Sequence, residues 1–178
     1  MIDFRRDKDG VLKAYKDDVC VGEITTMGDM CSHMTEKEFR VKHSELIMYY
    51  QFIEMKLKGL CAGLTSDSLL DWFVNLPEYK TDPMGKLIEK VKELQKNQSI
   101  PLLSDEEFKE LDELRQARNY WCHQCFGGDC PVVFKKDKTT GEYYMKCSDH
   151  SVDIERDLNV AMDWEVKLAN LNREVSNY

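Results

Sequence analysis

The chain has 178 residues, of which 42% are hydrophobic and 33% are charged, and its formal net charge is −8. This length allows one domain with a full core, and this composition argues against a disordered chain. The acidic balance argues against a protein that coats nucleic acid with a broad basic face, but it leaves room for an enzyme with a small, locally basic cleft.

The first predicted elements are an N-terminal extension, residues 1–34, and a long helix. Within the extension, LKAYKDDVCVGEIT contains two strand-like runs around positions 16–18, which predicts a β-hairpin. Thr35 and Glu38 match a capping box and therefore mark a helix start. Apolar residues then recur at three- and four-residue steps to about Ala62, as expected for a helix with one buried face.

Two further helices are predicted after this long helix. After Asp82, which suits a cap, and Pro83, which suits the first helical position, the run MGKLIEKVKELQKN repeats the helical spacing. The segment SDEE, residues 104–107, is another capping box. It opens a helix that we expect to continue to about Phe126, where two glycines stop it.

The pattern changes at residues 129–150, where two β-rich runs, CPVVFKK and EYYMKC, flank the turn sequence DKTTG. Residues 152–177 return to helical spacing. We therefore predict an all-α fold, an up-and-down bundle of four or five helices over residues 35–178. Small β-hairpins would be added at the N-terminus and, as an insertion at about 129–150, before the last helix.

The sequence RNYWCH, at positions 118–123, carries the functional argument. A fixed cation and a group that titrates near neutral pH can together cleave a phosphodiester without a metal. Asn119 and His123 are four residues apart and share a helix face. Arg118 and His123 are five apart, so in a regular helix they diverge by about 140°. They can then meet on one phosphate if Arg118 wraps around or if a second chain contributes, as in a symmetric dimer.

Arg-x4-His with Asn directly after the arginine, late in a helical bundle, resembles the HEPN domain (higher eukaryotes and prokaryotes nucleotide-binding). The likeness extends to the helix order over residues 36–126 and 152–175. The resemblance implies a metal-independent ribonuclease that needs no cofactor, with its active site at a homodimer interface. Such proteins are often toxins, anti-phage effectors or RNA-processing factors. The alternative is a catalytically inactive HEPN module that binds nucleotide, RNA or a partner protein.

The resemblance also implies roles for the motif residues. Arg118 would stabilise the charge that builds up on the phosphate, and Asn119 would orient its neighbours or bind the phosphate. His123 would act as general base on the ribose 2′-hydroxyl, or as the acid that protonates the leaving oxygen. In the toxin branch with nucleotidyltransferase antitoxins, a tyrosine lies two residues after the histidine. Here Cys125 holds that position, so we do not expect such an antitoxin to modify a tyrosine in this chain. An antitoxin or regulatory partner of another kind is still compatible with the sequence.

Neighbouring residues offer weaker candidates for RNA contacts. Tyr120 could stack on a base, although we favour a core or dimer contact. Lys135 and Lys136, in the inserted hairpin, could guide a phosphate backbone, although a solvated turn is the simpler explanation. Arg118 itself could instead form an ion pair with one of the glutamates that precede it in its own helix, Glu110 or Glu113.

The seven cysteines indicate a reducing environment. Their number is odd, no apolar run approaches the roughly 20 residues of a membrane span, and the N-terminus lacks the apolar core of a signal peptide. We therefore expect a cytoplasmic protein with reduced thiols. Four residues could instead hold a structural zinc that ties the hairpin to the motif helix: Cys125, Cys130, Cys147 and His150. Buried free thiols are the alternative.

Overall fold

The computed structural model describes residues 2–6, 12–16, 19–24, 31–127, 131–146 and 153–176. The described residues form five α-helices: α1 (Glu36–Leu64), α2 (Leu69–Asn75), α3 (Met84–Leu94), α4 (Asp105–Asn119) and α5 (Ile154–Ser176). A π turn (Tyr120–Gln124) continues α4, and single 3-10 turns follow α2 and α3. The predicted helical bundle with small β additions is therefore confirmed.

The described part of the chain also contains six short strands in two antiparallel sheets: β1 (Ile2–Arg6), β2 (Leu12–Lys16) and β3 (Val19–Ile24) in the first, and β4 (Cys31–Thr35), β6 (Tyr143–Lys146) and β5 (Val133–Lys136) in the second. The hairpin predicted around positions 16–18 is the β2–β3 pair, and the predicted insertion contains the β5–β6 pair. Strand β4, which pairs with β6, was not predicted from the sequence. The end of the N-terminal extension and the insertion therefore share one sheet.

The long helix α1 begins at the predicted capping box. The Thr35 hydroxyl accepts a hydrogen bond from the Glu38 amide at 3.2 Å, and the Glu38 carboxylate accepts from the Thr35 amide at 2.8 Å. These two bonds satisfy amides that the helix itself leaves free. From this start α1 supplies much of the core with fully buried side chains: Phe39, Leu46, Ile53, Leu57 and Leu60.

Helix α5 runs parallel to α1 and packs closely along it. Lys42 lies 2.6 Å from Glu155 near the start of both helices, and Gly63 faces Val175 near their ends. A Cβ atom on Gly63 would lie 2.6 Å from a Val175 methyl group, so the glycine permits the close approach. No helix in the described part of the chain has the length and apolar character needed to cross a membrane.

Candidate active site

The RNYWCH motif lies where α4 gives way to the π turn. The α4 helix starts at the predicted capping box, in which the Glu107 carboxylate accepts from the Ser104 amide at 2.6 Å. Its α-helical hydrogen bonding ends at Asn119, and the Cys125 amide then donates to the Tyr120 carbonyl at 2.9 Å, a bond that spans five residues. The expectation of a regular helix to about Phe126 is therefore wrong from Tyr120 onward.

In an α-helix the Trp121 carbonyl would accept a hydrogen bond from the Cys125 amide. In the π turn this amide bonds to the Tyr120 carbonyl instead, so the Trp121 carbonyl lacks its usual backbone donor. Side chains replace that donor. The His43 ring lies with Nε2 3.0 Å from the Trp121 oxygen, and the Cys125 thiol donates to the same oxygen at 3.1 Å. Because a carbonyl only accepts, this bond requires the proton of His43 on Nε2. The turn is thus stabilised by a histidine from α1.

Trp121 anchors the turn to the bundle. Its side chain is 1% exposed, and its indole N–H donates to the Asp157 carboxylate of α5 at 2.8 Å. The rings of Phe39 and His43 lie against it at centroid distances of 6.2 and 6.1 Å. Phe126 packs in turn on both of these rings, and Phe134 packs on Phe39. Aromatic pairs at such spacings add to the stability from burial. Contacts from α1 and α5 therefore hold this one turn.

The π turn also changes the geometry of the motif. In a π turn the hydrogen bond joins residues five apart, whereas in an α-helix it joins residues four apart. Arg118 and His123 are five apart, and the backbone between them crosses this turn. The divergence of about 140° that applies to a regular helix is therefore reduced, and the two side chains project from more similar directions.

Arg118 and Asn119 contact each other and a carboxylate of α1. The Arg118 guanidinium donates through Nη1 to the Asn119 side-chain oxygen at 3.2 Å, and its Nη2 lies 3.8 Å from Glu54. The side chains of Arg118 and Glu54 are 28% and 21% exposed, so this ion pair is partly solvated. The ion-pair partner is thus Glu54, and neither of the intrahelical candidates, Glu110 and Glu113, pairs with this arginine.

His123 lies on the exposed side of the turn. Within the described part of the chain its ring makes no hydrogen bond or ion pair, in contrast to the fixed ring of His43. An exposed imidazole is accessible to a bound substrate. Arg118 and His123 therefore lie on one short segment. Among the described residues Arg118 has an ion-pair partner, whereas His123 has none.

The weaker candidates for RNA contacts lie apart from these groups. Tyr120 is half-buried and packs against the core, with its ring edge-on to Trp121 at 5.0 Å, which favours the packing interpretation. Lys135 and Lys136 are exposed on β5, and no contact among the described residues joins them to the motif side chains. The hairpin itself is close to the motif, because the Val132 amide donates to the Cys125 carbonyl at 2.6 Å.

Of the four candidate zinc ligands, Cys130, Cys147 and His150 lie outside the described residues. Cys125 is described, and its buried thiol donates to the Trp121 carbonyl. Burial raises the pKa of this thiol, which disfavours the thiolate that binds metal. Among the residues that the structure describes, no three His, Cys, Asp or Glu side chains are grouped closely enough to hold a metal ion.

The residues on other helices that support the motif were not predicted from the sequence. His43 lies four residues after Phe39, so helical spacing places it on the core face of α1, and this signal could have marked it as a packed histidine. Glu54 and Asp157 gave no such signal, because their roles depend on how α1 and α5 pack against α4.

Comparisons with protein-family models, with curated proteins and with solved structures gave no match for this chain.

Proposed function

We propose that the chain is a metal-independent endoribonuclease of the HEPN type, with its active site in the cleft of a homodimer. The observation that carries the proposal is the π turn within the motif. It gives Arg118 and His123 more similar directions, it leaves the His123 ring exposed, and it is held by a buried tryptophan and a structural histidine. Turns of this kind are frequent at functional sites.

The proposed reaction uses the ribose 2′-hydroxyl as nucleophile. His123 takes the proton from this hydroxyl, the oxygen attacks the adjacent phosphorus, and the bond from phosphorus to the 5′-oxygen breaks. The leaving 5′-oxygen takes a proton from solvent. Arg118 stabilises the charge on the phosphoryl oxygens, and Asn119 holds the guanidinium through its side-chain oxygen. The products are a 2′,3′-cyclic phosphate and a 5′-hydroxyl.

The test is cleavage of end-labelled single-stranded RNA in EDTA by the wild type, His123→Ala and Arg118→Ala. We expect each substitution to lower the cleavage rate by roughly 10²- to 10⁴-fold, the usual contribution of such groups. Gln124→Ala and Arg115→Ala are matched controls, because Gln124 is the exposed neighbour of His123 and Arg115 pairs with Asp112 one turn before Arg118. Both controls should retain wild-type activity.

A substrate with one 2′-deoxyribose tests the chemistry directly. Cleavage should disappear at the bond that follows the deoxyribose and continue at its neighbours, and the new ends should carry cyclic phosphate. Cleavage that survives both motif substitutions, or that occurs at the deoxy position, would contradict the proposal.

One observation favours the alternative, an inactive HEPN module that binds nucleotide, RNA or a partner protein. Arg118 already lies 3.8 Å from Glu54, and this carboxylate offsets part of the charge that the reaction would use. Wild-type protein that binds RNA or nucleotide without cleaving any of a varied set of RNAs would establish this alternative.

Further parts of the proposal concern the cellular setting. We place the protein in the cytoplasm, as a toxin or anti-phage effector with an antitoxin or other regulatory partner. The reaction needs no metal.

A structural zinc at Cys125, Cys130, Cys147 and His150 would require Cys125 to give up its bond to the Trp121 carbonyl. Metal analysis of the purified wild type and of a Cys130→Ser/Cys147→Ser variant tests for it, and metal content near zero in the wild type would exclude it.

A further inference from the structure

A cavity of about 480 Å³ is lined by residues of α4 and α5 and by Tyr50 of α1. This volume is in the range of small-molecule sites. Its apolar wall comes from both helices: Leu114, Ala117, Val160 and Trp164. Its polar lining consists of a phenol, one arginine and three carboxylates: Tyr50, Arg156, Asp157, Glu110 and Glu113.

Tyr50, one of the residues that line this cavity, carries an unusual hydroxyl. The side chain is 2% exposed, and its hydroxyl makes no hydrogen bond to any described residue. Burial raises the pKa of this phenol, so the hydroxyl keeps its proton near neutral pH. A buried hydroxyl without a partner costs stability. A ligand that supplied the missing hydrogen bond would remove this cost.

The charges of the cavity are unbalanced. The Arg156 guanidinium donates twice to the Asp157 carboxylate, at 2.9 and 3.0 Å, and the other Asp157 oxygen accepts from Trp121. This arginine and this aspartate therefore offset each other. Glu110 and Glu113 are exposed at the cavity, three residues apart on α4, and within the described part of the chain neither forms an ion pair. The remaining charge of the cavity is negative.

From these observations we propose that the cavity binds a small organic amine with an apolar body. The ammonium group lies between Glu110 and Glu113, the apolar body packs against Trp164 and Val160, and a polar group at the far end hydrogen-bonds to the Tyr50 hydroxyl. The site is separate from the proposed ribonuclease motif, since none of Arg118, Asn119 and His123 lines the cavity.

Three probes of similar size separate the features of the proposed ligand. Tyramine has the ammonium group, the aromatic body and a terminal hydroxyl, phenethylamine lacks the hydroxyl, and 3-(4-hydroxyphenyl)propionate carries the opposite charge. Isothermal titration calorimetry on the full chain should give saturable binding of tyramine, weaker binding of phenethylamine and none of the propionate.

The two glutamates that would hold the ammonium group are tested by a double substitution. Glu110→Gln/Glu113→Gln should weaken tyramine binding by roughly tenfold or more, the effect of losing a hydrogen bond to a charged group. The control Glu93→Gln/Glu106→Gln removes the same charge from exposed positions that do not line the cavity, and it should leave tyramine binding unchanged.

Tyr50→Phe should weaken tyramine binding by about fivefold, as expected for one neutral hydrogen bond, and should leave phenethylamine binding unchanged. The same variant should melt at or above the wild-type temperature, because it removes an unpaired buried hydroxyl. The absence of saturable tyramine binding, equal binding of the propionate, or an equal effect of Tyr50→Phe on both amines would overturn the proposal. None of these outcomes depends on RNA cleavage.

Discussion

The two sides of the segment from Arg118 to Cys125 differ sharply in how they are held. On its inner side, Trp121 and Cys125 are buried and bonded to Asp157, to a backbone carbonyl and, through that carbonyl, to His43. On its outer side, Arg118 has one long, partly solvated ion pair and His123 is exposed. Exposed pairs contribute little to stability. The inner side therefore stabilises the turn, while the outer side is available for chemistry.

The largest expected effect is on the inner side. Trp121→Ala should lower the free energy of unfolding by about 3–5 kcal/mol, because it removes a fully buried ring and leaves the Asp157 carboxylate without its indole donor. Chemical denaturation followed by circular dichroism measures this loss, which approaches the whole stability of many domains.

Trp121→Phe is the matched control for this loss. It keeps an aromatic ring in the core but removes the N–H and part of the buried indole, so it should cost about 1–3 kcal/mol, less than Trp121→Ala. A Trp121→Ala variant as stable as the wild type would show that the inner side does not hold the turn.

The outer side is tested by mixing subunits of two inactive variants. If each site combines Arg118 of one copy with His123 of the other, a mixed dimer of Arg118→Ala and His123→Ala subunits regains one intact site of two. Random mixing should then restore about one quarter of wild-type cleavage, far above either variant alone. This expectation rests on the proposed homodimer, whose formation is checked by light scattering.

The control is a mixture in which one subunit carries both substitutions and the other is His123→Ala, which should stay inactive. Because the π turn gives Arg118 and His123 more similar directions, a site complete within one chain is the competing arrangement. Mixed dimers that stay inactive while the wild type cleaves RNA would establish that arrangement.

Much of the fold could be predicted from local patterns. The capping boxes at Thr35 and Ser104 mark the starts of α1 and α4, and the turn signals mark both hairpins. These features depend on interactions within a few residues, which is why sequence reveals them. The pairing of β4 with β6 joins residues more than a hundred positions apart, and nothing in either run specifies that partner.

The candidate site shows the same division. The motif residues are recognisable by type and spacing, but the π turn is not, because a run of helix-compatible residues gives no local sign of an extra residue in the turn. The bond from His43 to the Trp121 carbonyl compensates for the turn, and it comes from a different helix. The neighbour that sets the charge around Arg118, Glu54, is likewise defined by packing of α1 against α4.

The contrast between the two histidines gives the next prediction. His43→Phe keeps a ring in the aromatic cluster but removes the donor to the Trp121 carbonyl, so it should lower the free energy of unfolding by about 1–2 kcal/mol. His123→Phe should leave the free energy of unfolding within about 0.5 kcal/mol of the wild type and abolish RNA cleavage. Denaturation and cleavage assays on the same two preparations measure both effects.

His43→Gln is the companion variant, since its amide can donate to the carbonyl although the ring is lost. Stability closer to the wild type in His43→Gln than in His43→Phe would assign the effect to the hydrogen bond. A loss of cleavage in His43→Phe as complete as in His123→Phe, without loss of stability, would break the contrast between the inner and outer sides.

The smallest expected effect comes from Glu54, the carboxylate that pairs with Arg118 on the outer side. Glu54→Gln removes a charge that lies 3.8 Å from Arg118 and leaves an amide of similar shape. It should lower the KM for RNA by about two- to threefold at low salt. This reduction in KM should be smaller at high salt, because the ion pair is partly solvated and salt screens it. Glu45→Gln, an equal charge change at an exposed position of α1, should alter KM less.

A different result would change the role of Glu54. If Glu54→Gln lowers kcat as far as Arg118→Ala does, Glu54 positions the guanidinium and does not compete with RNA for it. The outer side would then depend on α1 as much as the inner side does.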